Sequence, residues 1–82
     1  MERFWYSNCP VCGQGRLFAI KRRDSASVFL RCEECDCMFE SPGLAHDGTN
    51  CKEGSNIVAD FATAEDIEQA GLSQYTFHAA TK

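Results

Sequence analysis

Short apolar runs, several of them alternating with polar residues, fill the first half of the chain, and this pattern is typical of half-buried β-strands. The runs cover residues 3–6, 15–22, 27–32 and 37–39. Residues 23–26 are mostly polar and separate the second run from the third, so they are expected to form a turn. The pattern therefore predicts one strand, then a β-hairpin, then a short third strand.

The second half of the chain has weaker patterning. Residues 41–56 are rich in glycine and asparagine and predict a loop, which is long for a compact domain. Residues 57–61 predict another strand. A short helix is predicted to follow Thr63, whose hydroxyl can cap its first turn, and to end at Gly71. Residues 72–78 alternate poorly and predict either a last strand or a loose tail.

Length and composition limit the class of protein. The chain has 82 residues, 44% of them hydrophobic and 24% charged, so it forms at most one domain with a small core. Its apolar stretches are too short to span a membrane, and its first residues lack the apolar region and cleavage site of a signal peptide. We therefore expect a cytoplasmic protein with reduced cysteines.

Charge is divided unevenly along the chain, whose net charge is −4. Residues 1–31 hold six basic and two acidic residues, whereas residues 32–82 hold two basic and ten acidic residues. A general nucleic-acid binder usually has a net basic surface, so this balance argues against that class. The acidic second half is better suited to a partner with a basic surface.

Four of the six cysteines form two C-x-x-C pairs, Cys9 with Cys12 and Cys32 with Cys35. Nineteen residues separate the two pairs, which is the spacing of a four-cysteine metal site. Zn²⁺ prefers tetrahedral sulfur ligands, and four sulfurs leave no position open for a reacting water. The spacing therefore predicts one structural zinc ion. Three disulfides are the alternative for six cysteines in a short chain, but the lack of a secretory signal argues against it.

The sequences CPVCG at Cys9–Gly13 and CEEC at Cys32–Cys35, bridged by a predicted hairpin, resemble the zinc-ribbon family over roughly residues 4–42. The resemblance implies a three-stranded antiparallel sheet clamped by two zinc knuckles. Zinc ribbons serve in transcription, translation, RNA modification and protein adaptors, so the resemblance selects no single function. CPVCG is also similar to the iron-binding knuckle of rubredoxins, although CEECD lacks the proline and glycine of that pattern.

We expect a single domain over residues 1–82 with a small, mostly β, α+β fold. It would comprise the zinc ribbon over 1–42, a loop over 43–56, and an acidic extension over 57–82 that carries a C-terminal strand and a short helix.

The two remaining cysteines are expected to be separate thiols. Cys37 follows the second knuckle and could replace Cys35 as a metal ligand, but C-x-C geometry is less usual, so it is predicted to be a buried apolar thiol. Cys51 lies near His46 and Asp47, so the alternatives there are a nucleophile with its base or a second metal site. The nearby sequence offers no orienting group or oxyanion site, so we expect an ordinary loop thiol whose replacement has little effect, and no enzymatic activity.

These features predict a non-catalytic zinc-binding module that binds another protein. One specific form of this hypothesis is a bacterial inhibitor or immunity-type protein for a basic partner. The alternatives are a zinc ribbon of the transcription or translation machinery, whose basic hairpin contacts nucleic acid, and a rubredoxin-like electron carrier containing iron. The candidate partner-binding residues are Arg22, Arg23, Trp5, Glu65, Asp66 and Glu68. The basic residues of the hairpin are Arg16, Lys21, Arg22, Arg23 and Arg31.

Overall fold

The computed structural model describes residues 2–25, 27–46, 48–54 and 57–81, with the side chains of residues 2 and 81 left out. Within these ranges the strands are β1 (Glu2–Asn8), β2 (Arg16–Arg22), β3 (Val28–Cys32), β4 (Cys37–Phe39), β5 (Lys52–Glu53), β6 (Ala59–Phe61) and β7 (His78–Thr81). The helix α1 spans Ala64–Gln69, and a 3-10 turn spans Pro42–Leu44. Neither helical segment in the described ranges has the length and apolar character needed to cross a membrane.

The described strands form one antiparallel sheet in the order β5–β4–β3–β2–β1–β7, and β6 also pairs with β2. Two partners share one edge of β2. Phe18 in its first half lies opposite Trp5 of β1, and Ile20 in its second half lies opposite Phe61 of β6. The C-terminal strands therefore extend the hairpin sheet on the side away from β3.

The predicted α+β, mostly β fold is confirmed. The sheet is wider than the three strands that the resemblance implies, because the first and last strands pair with each other and β6 adds to β2. The strand expected at 57–61 begins at Ala59, and the segment 72–78 largely precedes β7 rather than forming it. The predicted turn at 23–26 includes Ala26, which lies outside the described residues.

The larger apolar core lies on the face of the sheet that packs against α1. Leu17 and Ala19 of β2, Leu30 of β3 and Phe39 of β4 are fully buried there, and Ile67 is the buried residue of α1. Full burial of a leucine or phenylalanine side chain contributes about 1.5–3 kcal/mol relative to its exposed state. This core fixes the position of α1, since six helical residues are too few to be stable alone.

The opposite face of the sheet, the arginine face, carries a second apolar cluster of Phe18, Ile20, Phe29 and Met38. Each of these side chains is at most 5% exposed. The strands place four half-buried arginines on the same face: Arg3, Arg16, Arg22 and Arg31. The aliphatic part of an arginine side chain can cover apolar surface while its charged end stays in water. On this face the arginines cover the apolar cluster, as the helix α1 covers the core on the other face.

The helix α1 begins with a capping box, as its sequence predicts. The Thr63 hydroxyl accepts a hydrogen bond from the Asp66 N–H at 3.1 Å, and the Asp66 carboxylate accepts one from the Thr63 N–H at 3.0 Å. These bonds and the neighbouring Lys21, whose Nζ lies 3.4 Å from the carboxylate, hold the pKa of Asp66 below its ordinary value. The helix ends before Gly71, which adopts φ of +78°.

Replacing Thr63 with alanine is expected to lower the free energy of unfolding by about 1 kcal/mol, because the N–H of Asp66 loses its acceptor. Urea unfolding of the metal-loaded protein measures this change. Ser73→Ala serves as the control, since Ser73 is exposed and its replacement removes no cap. Equal stabilities of the two variants would contradict a role for the capping box.

The segment 41–56, predicted as a loop, is held to the sheet at several points. It contains the 3-10 turn and β5, which pairs with β4, and the buried Ala45. Cys37 and Cys51 form a disulfide with their Cα atoms 5.5 Å apart. Cys37 is buried as predicted, but the expectation of two separate thiols is wrong, because the pairing of β4 with β5 returns the chain beside Cys37.

Candidate metal centre

Two short knuckles meet at one end of the β2–β3 hairpin. The first knuckle, Cys9–Gly13, connects β1 to β2, and the second knuckle, Cys32–Asp36, connects β3 to β4. The N–H of Cys9 donates to the carbonyl of Gly15 at 2.8 Å, and the register of the hairpin places Cys32 opposite Leu17. The hairpin therefore brings both C-x-x-C pairs to the same place, as the spacing predicts.

The sulfur atoms of Cys9, Cys12, Cys32 and Cys35 all lie within 4.8 Å of one another. Two distances across the knuckles are shorter, 3.7 Å for Cys9–Cys35 and 3.6 Å for Cys12–Cys32. A tetrahedral ion with metal–sulfur bonds of about 2.3 Å has sulfur–sulfur edges of about 3.8 Å. The donor set and its dimensions therefore fit one tetrahedral metal ion.

Backbone N–H groups point at the sulfurs from within each knuckle. The N–H of Val11 donates to Cys9 Sγ at 3.4 Å, and those of Glu34 and Cys35 donate to Cys32 Sγ at 3.3 and 3.4 Å. Such donors orient thiolate ligands and offset part of their negative charge. The two knuckles are alike in backbone geometry as well.

Each knuckle ends in a left-handed residue. Gly13 has φ of +70° and Asp36 has φ of +60°. Glycine adopts this conformation without a steric penalty, and aspartate is one of the few other residues that tolerate it. Asp36 therefore takes the left-handed position at the end of the second knuckle that Gly13 takes in the first.

The four thiols differ in their tendency to ionise in the absence of metal. Hydrogen bonds from the backbone of Gln14 and Gly15 lower the pKa of Cys12 to about 7, whereas burial raises the pKa of Cys32 to about 12. Burial also raises the pKa of Cys35. Burial therefore disfavours the thiolate forms of Cys32 and Cys35, and a bound dication would offset that cost.

Gly15 belongs to the metal centre, although the sequence predicts it only as the first residue of a strand. A Cβ atom built on Gly15 would lie 2.5 Å from Cys32 Sγ and 2.8 Å from Cγ of Glu34. The available signal was the second glycine after the first knuckle, in Cys-Gly-Gln-Gly. Gly15 is required because the chain passes too close to the sulfur for any side chain.

Replacing Gly15 with alanine is expected to weaken metal binding by at least about tenfold, because the new methyl group displaces Cys32 Sγ from the cluster. Competition with a chromophoric chelator measures the affinity. Gly43→Ala is the matched control, since a Cβ at Gly43 meets its nearest neighbour, the Tyr75 hydroxyl, at 3.4 Å. An unchanged affinity in Gly15→Ala would show that the cluster tolerates the methyl group.

The structure separates the candidate basic residues from one another. Arg22 lies on the arginine face with its guanidinium carbon 5.6 Å from the centre of the Phe29 ring. Arg23 lies at the hairpin turn and donates two hydrogen bonds to Asp60, at 3.0 and 2.9 Å. Trp5 lies on the arginine face, with its ring centre 4.6 Å from that of His78.

The candidate acidic residues lie on α1, on the other side of the sheet. Glu65 and Glu68 are exposed to solvent, whereas Asp66 is half-buried in the capping box. A surface for a basic partner would therefore use Glu65 and Glu68, with Asp66 serving the helix itself.

Cys51 has no free thiol to act as a nucleophile, because its sulfur is bonded to that of Cys37. His46 Nδ1 lies 3.0 Å from the Gly43 carbonyl oxygen. Asp47, the third residue of that hypothesis, lies outside the described residues. The disulfide is therefore a structural reason, beyond those in the sequence, to expect that Cys51 is not a nucleophile.

No protein-family model, no curated protein and no solved structure matches this chain.

Proposed function

We propose that the chain is a non-catalytic binding module whose fold depends on one structural Zn²⁺ held by Cys9, Cys12, Cys32 and Cys35. The observation that carries the proposal is the cluster of four sulfurs within 4.8 Å. Four cysteine ligands complete a tetrahedral zinc shell, so a substrate or water would find no open coordination position. The metal would then act by joining the two knuckles.

Zinc is favoured over iron because the second knuckle departs from the rubredoxin pattern, although tetrahedral sulfur accepts either metal. Elemental analysis of the purified protein is expected to find one zinc per chain. A red protein with iron absorption bands would support the electron-carrier alternative instead.

Zinc affinity is expected to fall steeply as the pH is lowered below 7. Binding displaces protons from the cysteines, and even Cys12, whose pKa is lowered to about 7, becomes protonated in that range. With up to four protons released, the affinity decreases by as much as about 10⁴-fold for each pH unit. Chelator competition at pH 6 and 7 measures this; an affinity independent of pH would rule out thiolate ligands.

We further propose that the module binds another protein with a basic surface, and that an inhibitor or immunity-type role in the bacterial cytoplasm is one form of this function. The supporting observation is the exposure of Glu65 and Glu68 on α1, opposite the arginine face. Exposed carboxylates on one helix can steer a basic partner and set its orientation.

The test is affinity capture from the native host at low salt, followed by identification of the retained proteins. The double variant Glu65→Lys, Glu68→Lys is expected to retain at least about tenfold less of a basic partner than the unmodified chain. Asp24→Lys is the control, because Asp24 is an exposed acid at the hairpin turn. Absence of a basic partner, or equal capture by all three proteins, would end this part of the proposal.

A further inference from the structure

The arginine face combines cations and aromatic rings from several strands. Strand register places Arg31 directly opposite Phe18, and places Phe18 opposite Trp5 of β1. Two residues further along β2, Ile20 lies opposite Phe29 of β3 on one edge and opposite Phe61 of β6 on the other. The face is therefore continuous across β3, β2, β1 and β6.

The guanidinium groups of Arg3, Arg16 and Arg22 lie over rings of this face. The carbon Cζ of Arg3 lies 4.0 Å from the centre of the Phe61 ring, and that of Arg16 lies 5.0 Å from Phe18 and 5.8 Å from Trp5. Contacts of this kind hold the arginines in fixed positions without neutralising them. The cations are therefore presented in a preorganised layer.

Three of the four arginines keep their charge available. Arg16 is paired with Glu33 at 2.9 Å. In the part of the chain that the structure describes, Arg3, Arg22 and Arg31 have no carboxylate within 4.0 Å, and Arg31 donates instead to the carbonyls of Gly54 and Ile57. The face therefore offers three cationic groups over an apolar base.

A cavity of about 220 Å³ lies between Arg3 and Arg31. Phe18, Ile20 and Phe61 line its base, while Glu33 and Asp36 line the same cavity with carboxylates. The carboxylates disfavour a simple inorganic anion. They suit a ligand that also carries hydrogen-bond donors and a flat apolar surface, such as a nucleobase.

We propose that the arginine face binds single-stranded nucleic acid, with Arg3, Arg22 and Arg31 at phosphates and with bases stacked against Trp5 and the guanidinium planes. A strand carries one negative charge per nucleotide beside a planar ring, which matches the alternation of cations and rings on this face. A duplex fits less well, because its bases are stacked inside the double helix and only its phosphates would contact the sheet.

This surface keeps Arg16, Arg22 and Arg31 of the basic hairpin considered from the sequence, but not Lys21 and Arg23, which lie beside its turn. Lys21 is paired with Asp66 and Arg23 with Asp60, so the two cations beside the turn are already partnered. Arg3 contributes from β1, outside the hairpin. The proposal is also independent of the acidic surface of α1, which lies on the opposite side of the sheet.

Titration of the zinc-loaded full chain with a fluorescent mixed-sequence 12-nucleotide RNA, followed by anisotropy, tests the proposal. With three phosphate contacts and a slope of about −0.7 per contact, affinity is expected to fall about twentyfold between 50 and 200 mM salt. Arg3→Gln and Arg22→Gln are each expected to weaken binding about fivefold at 100 mM salt and to flatten the slope by about 0.7. Trp5 is the single tryptophan, so its fluorescence should be quenched by the RNA.

Arg23→Gln is the matched control, since it removes the same charge from an arginine that is bound to Asp60. It is expected to bind as the unmodified chain does, and circular dichroism checks that every variant is folded. The proposal is overturned by the absence of binding at 50 mM salt, by equal losses in Arg22→Gln and Arg23→Gln, or by unchanged Trp5 emission. Displacement of the RNA by poly-glutamate at equal charge concentration would assign the face to an acidic protein instead.

Discussion

A Cys12→Ser chain is expected to lose its metal and to unfold in its hairpin half. Removing one sulfur leaves three ligands where four sulfurs could hold an ion, and metal binding and folding of such knuckles are one equilibrium. Structural zinc contributes roughly 10–16 kcal/mol in small zinc-finger peptides, which exceeds the few kcal/mol expected from a core of this size. Circular dichroism should show a large loss of β signal, and elemental analysis should find less than one zinc per chain.

Cys32→Ser is expected to behave in the same way, although Cys32 is buried and Cys12 is half-buried. The two variants distinguish packing from ligation. If the cysteines only filled space, replacing the buried Cys32 would destabilise the fold more than replacing the half-buried Cys12, whereas replacing a metal ligand destabilises the fold whether or not the ligand is buried. The double variant Cys37→Ser, Cys51→Ser is the control for metal content and β signal, since it also removes sulfur but leaves the cluster complete. An unchanged spectrum and melting temperature for Cys12→Ser would contradict the dependence of the fold on metal.

Loss of the Cys37–Cys51 disulfide is expected to lower the free energy of unfolding by about 3 kcal/mol while the metal stays bound. The disulfide closes a loop with a sequence separation of 14, and a loop of that size restricts the unfolded chain by about this amount. Urea unfolding of the double variant Cys37→Ser, Cys51→Ser measures the change. The expectation from the sequence that replacing Cys51 has little effect is therefore corrected, because Cys51 is bonded to Cys37.

Alkylation of the native protein provides an independent check of the disulfide. After metal removal without a reductant, four cysteines are expected to react, and all six after reduction. Six reactive cysteines in the unreduced protein would show that the two thiols remain separate in solution. That result would agree with the predicted cytoplasmic location, where disulfides are rare.

The hairpin and the metal centre could be predicted from the sequence because their signals are local. Each C-x-x-C pair fixes two sulfurs within one turn, and the strands between them alternate clearly, with Leu30 on the core side and Phe29 on the other. Thr63 and Gly71 likewise mark the helix through hydrogen bonds and backbone angles that involve only a few neighbouring residues.

The remaining features could not be predicted because they depend on distant pairings. β7 forms only because β1 offers a free edge, and Cys51 meets Cys37 only after β5 has paired with β4. The constraint on Gly15 appears only when Cys32 has been brought across the hairpin. The arginine face could be predicted only in part for the same reason, since Arg3 and Phe61 lie far apart in sequence and meet across the sheet.

The pairing of β1 with β7 has a consequence for synthesis on the ribosome. Arg3 and Phe4 lie opposite Ala80 and Ala79, so the edge of β1 finds its partner only when the last residues of this segment emerge. Until then the hairpin and its metal can assemble, but a row of backbone donors and acceptors stays exposed to other chains. Metal capture alone leaves this edge uncovered, so a chain arrested before β7 is expected to associate with other chains even when its metal is bound.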